Sequence, residues 1–155
     1  MPALMPLIRT MRLPDVAEVE ALDREIFGTS IGKEALVKEL TENPLAHYFV
    51  LEDQTTHELM GHIGIWIDDK NAQILNIFVK PAHRDQGYGK MIIKHTLAYL
   101  RQHQCENLTL EVRPSNQKAI RFYEKFGFVR ATIRKNYYEN GEDAILMWRK
   151  MDNEE

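Results

Sequence analysis

The stretch that decides the fold reads Arg84-Asp85-Gln86-Gly87-Tyr88-Gly89-Lys90. It follows an apolar run from Ile74 to Val79 and precedes a helical pattern that begins near Met91. A glycine-rich turn therefore joins a predicted strand to a predicted helix. Glycine accepts positive φ and lets another molecule approach the backbone. A helix N-terminus adds unpaired N–H groups and a partial positive charge. Together these features make an anion cradle, with phosphate the usual guest. The plain alternative is an ordinary strand-to-helix turn.

Outward from this turn, the chain alternates strand and helix signals. Leu7 to Met11 reads as a short strand. Leu13-Pro14-Asp15 opens a helix, with Val16, Val19, Leu22 and Ile26 at helical spacing and Gly28 stopping the run. A second helix is predicted over Lys33 to Thr41, with Leu36 and Leu40 inward. Strands follow at His47–Leu51, Leu59–Ile67 and Ala72–Val79. Gly61 and Gly64 mark a bulge or a close backbone approach in the second of these. The helix after the turn runs to about Gln104, with Ile93, Leu97 and Leu100 as its buried stripe. Leu108 to Val112 is the next strand, and Ser115-Asn116 caps a helix that ends at Gly127. Strands at Phe128–Lys135 and Ala144–Arg149, joined through Asn140-Gly141, close the pattern. This order predicts an α/β (α+β) fold whose mixed sheet is part antiparallel and part a right-handed crossover.

The 155 residues fit one domain, residues 1–155. A net charge of -3 does not favour non-specific nucleic-acid binding. One cysteine, Cys105, excludes an internal disulfide and fits a reducing cytosol. No apolar run approaches the roughly 18 residues of a membrane span. Met1 to Leu7 lacks a basic-then-apolar signal layout. The expectation is a soluble cytoplasmic protein with no membrane partner.

Three places carry candidate chemistry. Glu111 lies on the polar side of an otherwise apolar strand, just before Pro114. The alternative is a strand-end glutamate paired with Arg113 or solvated. Tyr123 shares a helix stripe with Asn116 and Ile120, which sets its phenol roughly 10 Å along the axis from the cap. The alternative is a packing aromatic. Tyr137-Tyr138 precedes the acidic turn Glu139-Asn140-Gly141-Glu142-Asp143, an arrangement suited to a basic peptide or amine, or to a plain surface hairpin. The six histidines show no metal-ligand spacing, and no Walker lysine or nucleophile-elbow serine is present.

Taken together, these parts resemble the GNAT N-acetyltransferases. Arg84-x-x-Gly87-x-Gly89 after a strand is similar to their acetyl-CoA pyrophosphate loop, and Asn116 to Phe128 to their second cofactor motif. The resemblance spans essentially the whole chain. Leu110 to Asn116, Tyr137-Tyr138, Gly141 to Met147 and Asn43 to Tyr48 resemble the RimI-type branch, which acetylates the N-terminal alanine of a small-subunit ribosomal protein. That branch carries a Pro-Trp-Ser element where this chain has Thr29-Ser30-Ile31-Gly32, a segment expected to border the substrate groove.

The resemblance implies a GNAT fold, about seven strands flanked by about four helices, and a sequential reaction with acetyl-CoA as cosubstrate and no metal. It implies that Arg84, Asp85, Gln86, Gly87, Tyr88, Gly89 and Lys90 hold the pyrophosphate. The backbone of Ile77, Phe78 and Val79 pairs with the pantetheine arm, and Asn116 bonds the cofactor. Glu111 becomes the general base, Tyr123 the general acid, and Tyr137 and Tyr138 border the acceptor. The partner it implies is a protein N-terminus, of a ribosomal protein. Acid–base chemistry agrees: neutralising an α-amine at pH 7 costs about 1–1.4 kcal/mol, against about 4.6 kcal/mol for a lysine. A GNAT enzyme for a small amine or amino acid, and a non-catalytic acyl-CoA-binding module, are the competing readings.

Overall fold

The computed structural model describes residues 3–151. The expected domain, residues 1–155, includes residues 1–2 and 152–155, which lie outside the described part. The strands are β1 Pro6–Thr10, β2 Ala46–Asp53, β3 Leu59–Asp68, β4 Asn71–Val79, β5 Asn107–Val112, β6 Val129–Arg134 and β7 Ala144–Lys150. The helices are α1 Val16–Phe27, α2 Lys33–Glu42, α3 Tyr88–Gln102 and α4 Gln117–Lys125. Strand order in the sheet is β1-β2-β3-β4-β5-β7-β6. Among the described residues only the β4–β5 pairing is parallel, with α3 as its crossover; the other pairings are antiparallel. This is the mixed sheet that the alternation of signals predicts.

Side chains alternate across the sheet and build a core on each face. Phe49 and Leu51 point with Ile63, Ile65, Ile93, Leu100, Leu108 and Ile120 into the core under α3 and α4. Tyr48 and Val50 point the other way, to Val19, Leu36 and Phe78 under α1 and α2. Ile93 and Leu100 are fully buried and Leu97 nearly so, as the stripe predicts. Removing one such side chain to alanine costs about 2–5 kcal/mol. In α1, Val16 and Val19 are buried, but Leu22 and Ile26 are only partly so. Glu20 and Asp23 take the remaining buried positions instead.

Two details of the sheet position the site. First, Gly61 and Gly64 do mark close approaches. A Cβ on Gly64 would stand 2.7 Å from the Tyr48 ring, and one on Gly61 2.8 Å from the Phe78 carbonyl oxygen. Second, Gly64 faces Asn76 while Ile65 faces Ile74, so Leu75 is an extra residue in β4. A bulge of this kind bends its strand and increases the local twist. At the N-terminal end of the chain, Arg9 bonds Asp15 at 2.8 and 2.9 Å and Glu52 at 3.0 and 3.3 Å. This ties β1 to the 3-10 turn Leu13–Asp15 that leads into α1. Among the described residues no helix is long and apolar enough to cross a membrane.

Candidate active site

The site follows from the parting of two strands. β4 and β5 pair only where Asn71, Ala72 and Gln73 face Asn107, Leu108 and Thr109. Beyond that point the bulged β4 bends away, and its backbone from Ile74 to Val79 has no strand partner on the β5 side. An exposed strand edge of this kind accepts an extended ligand as if it were another strand. Arg84 closes the far end of this edge, donating from Nε to the Val79 carbonyl at 3.0 Å.

The glycine turn lies where that edge ends. Asp85 has φ of 61° and is ion-paired with Lys118 of α4 at 3.1 Å. Gly87 is the N-cap of α3, at φ of 88°, a conformation that costs an L side chain about 1–2 kcal/mol. Nothing lies within 4 Å of where its Cβ would be. The first helical bond of α3 runs from the Met91 N–H to the Gly87 carbonyl, and no side chain caps the helix. The N–H groups of Tyr88, Gly89 and Lys90 therefore have no partner within α3. A pyrophosphate fits this donor set, because backbone donors, a helix N-terminus and a Cβ-free approach coincide.

A groove of about 780 Å³ opens between the strands and runs under the segment that joins α1 to α2. Among the predicted site residues it is lined by Ile77, Glu111, Asn116, Tyr123 and Tyr138. Thr29, Ser30 and Ile31 also border it, as expected for that segment. Phe78 turns its side chain into the core, so only its backbone can serve the edge.

Glu111 projects from β5 with 9% of its side chain exposed. Its partner is not Arg113 but Arg134 of β6, at 3.2 Å across β7. The Tyr137 hydroxyl also donates to it; this bond, and then burial, pushes the Tyr137 pKa up to about 12. Arg113 instead bonds Glu142 at 3.3 Å and Asn140 at 3.1 Å, and lies 3.9 Å over the Tyr138 ring. The β6–β7 connection is thus folded over the end of β5. Tyr137 braces the glutamate, and Tyr138 faces the groove. Tyr123 is buried within α4, and burial, aided by Tyr138, raises its pKa well above that of a free phenol. Such a phenol keeps its proton across the physiological range. Asn116 caps α4, its Oδ1 accepting from the Ala119 N–H at 3.2 Å.

Sequence spacing did not point to several residues at the groove. Asp23 of α1 is buried and bonded to Asn76. Glu39 of α2 accepts from Tyr48 Oη at 2.9 Å, Trp66 Nε1 at 2.7 Å and Asn43 Nδ2 at 2.7 Å. His62 is fully buried, and burial depresses its pKa to about 4, leaving it neutral. The one available signal was Asp23 itself, an acid placed among the apolar positions of an amphipathic helix. Among the described residues no group of three or more His, Cys, Asp or Glu is arranged to hold a metal.

A parted parallel pair, a bulged strand and a glycine turn at the crossover helix together make a site for an extended, phosphate-bearing ligand. Residues 14–128 match the Acetyltransferase (GNAT) family. A provisionally named ribosomal protein bS18-alanine N-acetyltransferase of Bacillus subtilis is 42% identical over 142 residues, covering 91% of this chain and 93% of the relative. The ribosomal protein bS18-alanine N-acetyltransferase of Escherichia coli K12 is 35% identical over 124 residues, covering 78% and 75%. The crystal structure of the Escherichia coli ribosomal-protein-S18-alanine N-acetyltransferase superposes with a TM-score of 0.85 at 28% identity, covering 96% and 95%. The chain belongs to the GNAT acetyltransferase family, as the sequence motifs imply, and is an acetyl-CoA-dependent N-acetyltransferase.

Proposed function

We propose that this chain, as one domain over residues 1–155, acetylates the α-amine of an N-terminal alanine, that of a small-subunit ribosomal protein, in the cytoplasm. One observation carries the reading: Glu111 and Tyr123 line a single groove beside the parted strands, with the glycine cradle at the end of the β4 edge. The names and coverage of the two relatives support the choice of acceptor.

Bound acetyl-CoA supplies a thioester acetyl group; the chain supplies binding, orientation and proton handling. Gly87 and Gly89 with the N–H groups of Tyr88 to Lys90 hold the pyrophosphate. The unpaired edge of β4 from Ile77 to Val79 holds the pantetheine arm. Asn116 keeps its side-chain amide N–H for the cofactor while its Oδ1 caps α4. The Glu111 carboxylate takes the proton of the attacking amine, directly or through one water. Tyr123 Oη gives a proton to the leaving thiolate, a role that suits a phenol held protonated by burial. Tyr138, stacked under Arg113, presents a fixed aromatic wall to the acceptor.

The test is a reaction with acetyl-CoA and peptides beginning Ala, Ser or Met, and one with a blocked N-terminus and an internal Lys. The acetyl group is located by mass spectrometry. Acetyl on the alanine α-amine is expected. Acetylation confined to lysine side chains would overturn the reading, and acetyl-CoA binding without any turnover would make the chain a binding module.

A further inference from the structure

Of the carboxylates that line the groove, Asp23, Glu39, Glu111 and Glu139, only Asp23 is buried, and neither the cofactor turn nor the Glu111–Tyr123 pair accounts for it. Asp23 sits on the face of α1 that packs on the sheet, and only 8% of it is exposed. It lines the same groove as Glu111. Its Oδ1 accepts from Nδ2 of Asn76 at 2.5 Å. Asn76 stands beside the extra residue of the β4 bulge, near the point where β4 leaves β5. The bond therefore fixes the carboxylate relative to the bend that opens the site.

What Asp23 lacks is a cation. Among the described residues the charged group acting on it is another acid, Glu20. Glu20 holds its own cation, Arg24, through bonds of 2.6 and 2.9 Å, and accepts from Ser30 at 2.8 Å. His62 lines the groove but is neutral. Arg113, on the opposite wall, is engaged by Glu142. Glu39 offers the contrast, since three neutral donors satisfy it. Asp23 has one donor, and Oδ2 has no hydrogen-bond partner among the described residues. A buried carboxylate without a cation is costly, and its pKa of about 6, raised first by burial, records that cost. Groups left in this condition within a cleft are candidates for function.

We propose that Asp23 is the docking carboxylate for the ammonium form of the acceptor amine, pairing through Oδ2 while Asn76 holds it in place. This rests on the amine-acetylating function above and adds a residue that recognises the acceptor by its charge. Removal of the proton remains with Glu111. Asp23 acts on binding of the amine and not on acetyl-CoA, whose cradle lies past Val79 at the end of the β4 edge, away from Asn76.

The test compares an alanine-first peptide with its desamino counterpart, propionyl in place of alanyl. Both are titrated calorimetrically into the protein saturated with CoA, so that no turnover occurs. Wild-type protein should prefer the amine by about tenfold or more, the scale of one charge-assisted hydrogen bond. Asp23→Asn keeps the volume and an oxygen for Asn76 but removes the charge. It should lose most of that preference, bind the desamino peptide as wild type does, and raise the peptide KM about tenfold with kcat and the acetyl-CoA KM nearly unchanged. Asp23→Glu should retain part of the preference. An unchanged preference in Asp23→Asn, or equal weakening toward both peptides, would make Asp23 a structural residue and overturn the assignment. The same reactions separate the two claims. Wild-type α-amine turnover with an unaltered Asp23→Asn preference overturns the docking role alone. Absence of wild-type α-amine turnover overturns the function and the docking role with it.

Discussion

Among single residues, Glu111 carries the proposed proton transfer. A carboxylate with a guanidinium at 3.2 Å and a phenol donor is held in one orientation, and orientation is what a general base needs first. Glu111→Gln should lower kcat by about 10²-fold, with acetyl-CoA affinity little changed in calorimetry. Unchanged turnover across pH 6–9 would remove it from the base role. Tyr123→Phe should slow the reaction about tenfold or more, the effect of losing a general acid; wild-type rates would make Tyr123 a packing residue. The place of Glu111 was legible because β5 alternates and Pro114 ends it. Its partners were not. Arg134 and Tyr137 lie more than twenty residues along the chain, and only the order β5-β7-β6 brings them back. Arg113 was the near neighbour in sequence, but it lies past the end of β5, where the Tyr138 ring and Glu142 compete for it.

At the scale of elements, the bulge and the glycine turn decide whether there is a groove at all. Gly64→Ala would push a methyl group into the Tyr48 ring. It should destabilise the protein by about 1–3 kcal/mol, as overpacking does, in urea denaturation. Gly89→Trp places an indole beside the cradle, where even a Cβ would stand 3.4 Å from the Phe122 ring. Calorimetry should then show acetyl-CoA binding weakened about tenfold or more; undiminished binding would contradict the cradle. The helices and the central strands were readable from apolar spacing and from proline and glycine punctuation, because cores lie on both faces of the central sheet and each element must match its own period; the edge strand β6 is exposed along its whole length. The brief β4–β5 pairing was not readable. Strand pairing depends on how far a bulge bends the chain, and Gly64 signalled a close approach without giving its direction.

For the whole molecule, the pKa shifts oppose one another. Arg9 holds the carboxyls of Asp15 and Glu52 below their ordinary range. Their contribution is full above the unfolded values and is lost as pH falls through the depressed ones. Buried His62, depressed to about 4, acts in the same direction, since the unfolded chain takes up its proton first as pH falls below about 6.5. Asp23 runs the other way. Its native pKa of about 6 exceeds the ordinary 3.8, so its contribution is present at low pH and is lost as pH rises through 6. Asp23→Asn should therefore raise Tm by several degrees at pH 7, and the gain should shrink toward zero near pH 4; a fall in Tm at pH 7 would contradict the uncompensated charge. The central claim is that this groove serves a peptide N-terminus. It is tested most directly by comparing kcat/KM for an alanine-first peptide with that for alanine amide. The peptide should be favoured about tenfold or more, because side chains beyond its first residue would meet the Tyr138 wall and residues 29–31. Equal or better use of alanine amide would contradict it and assign the groove to small amines.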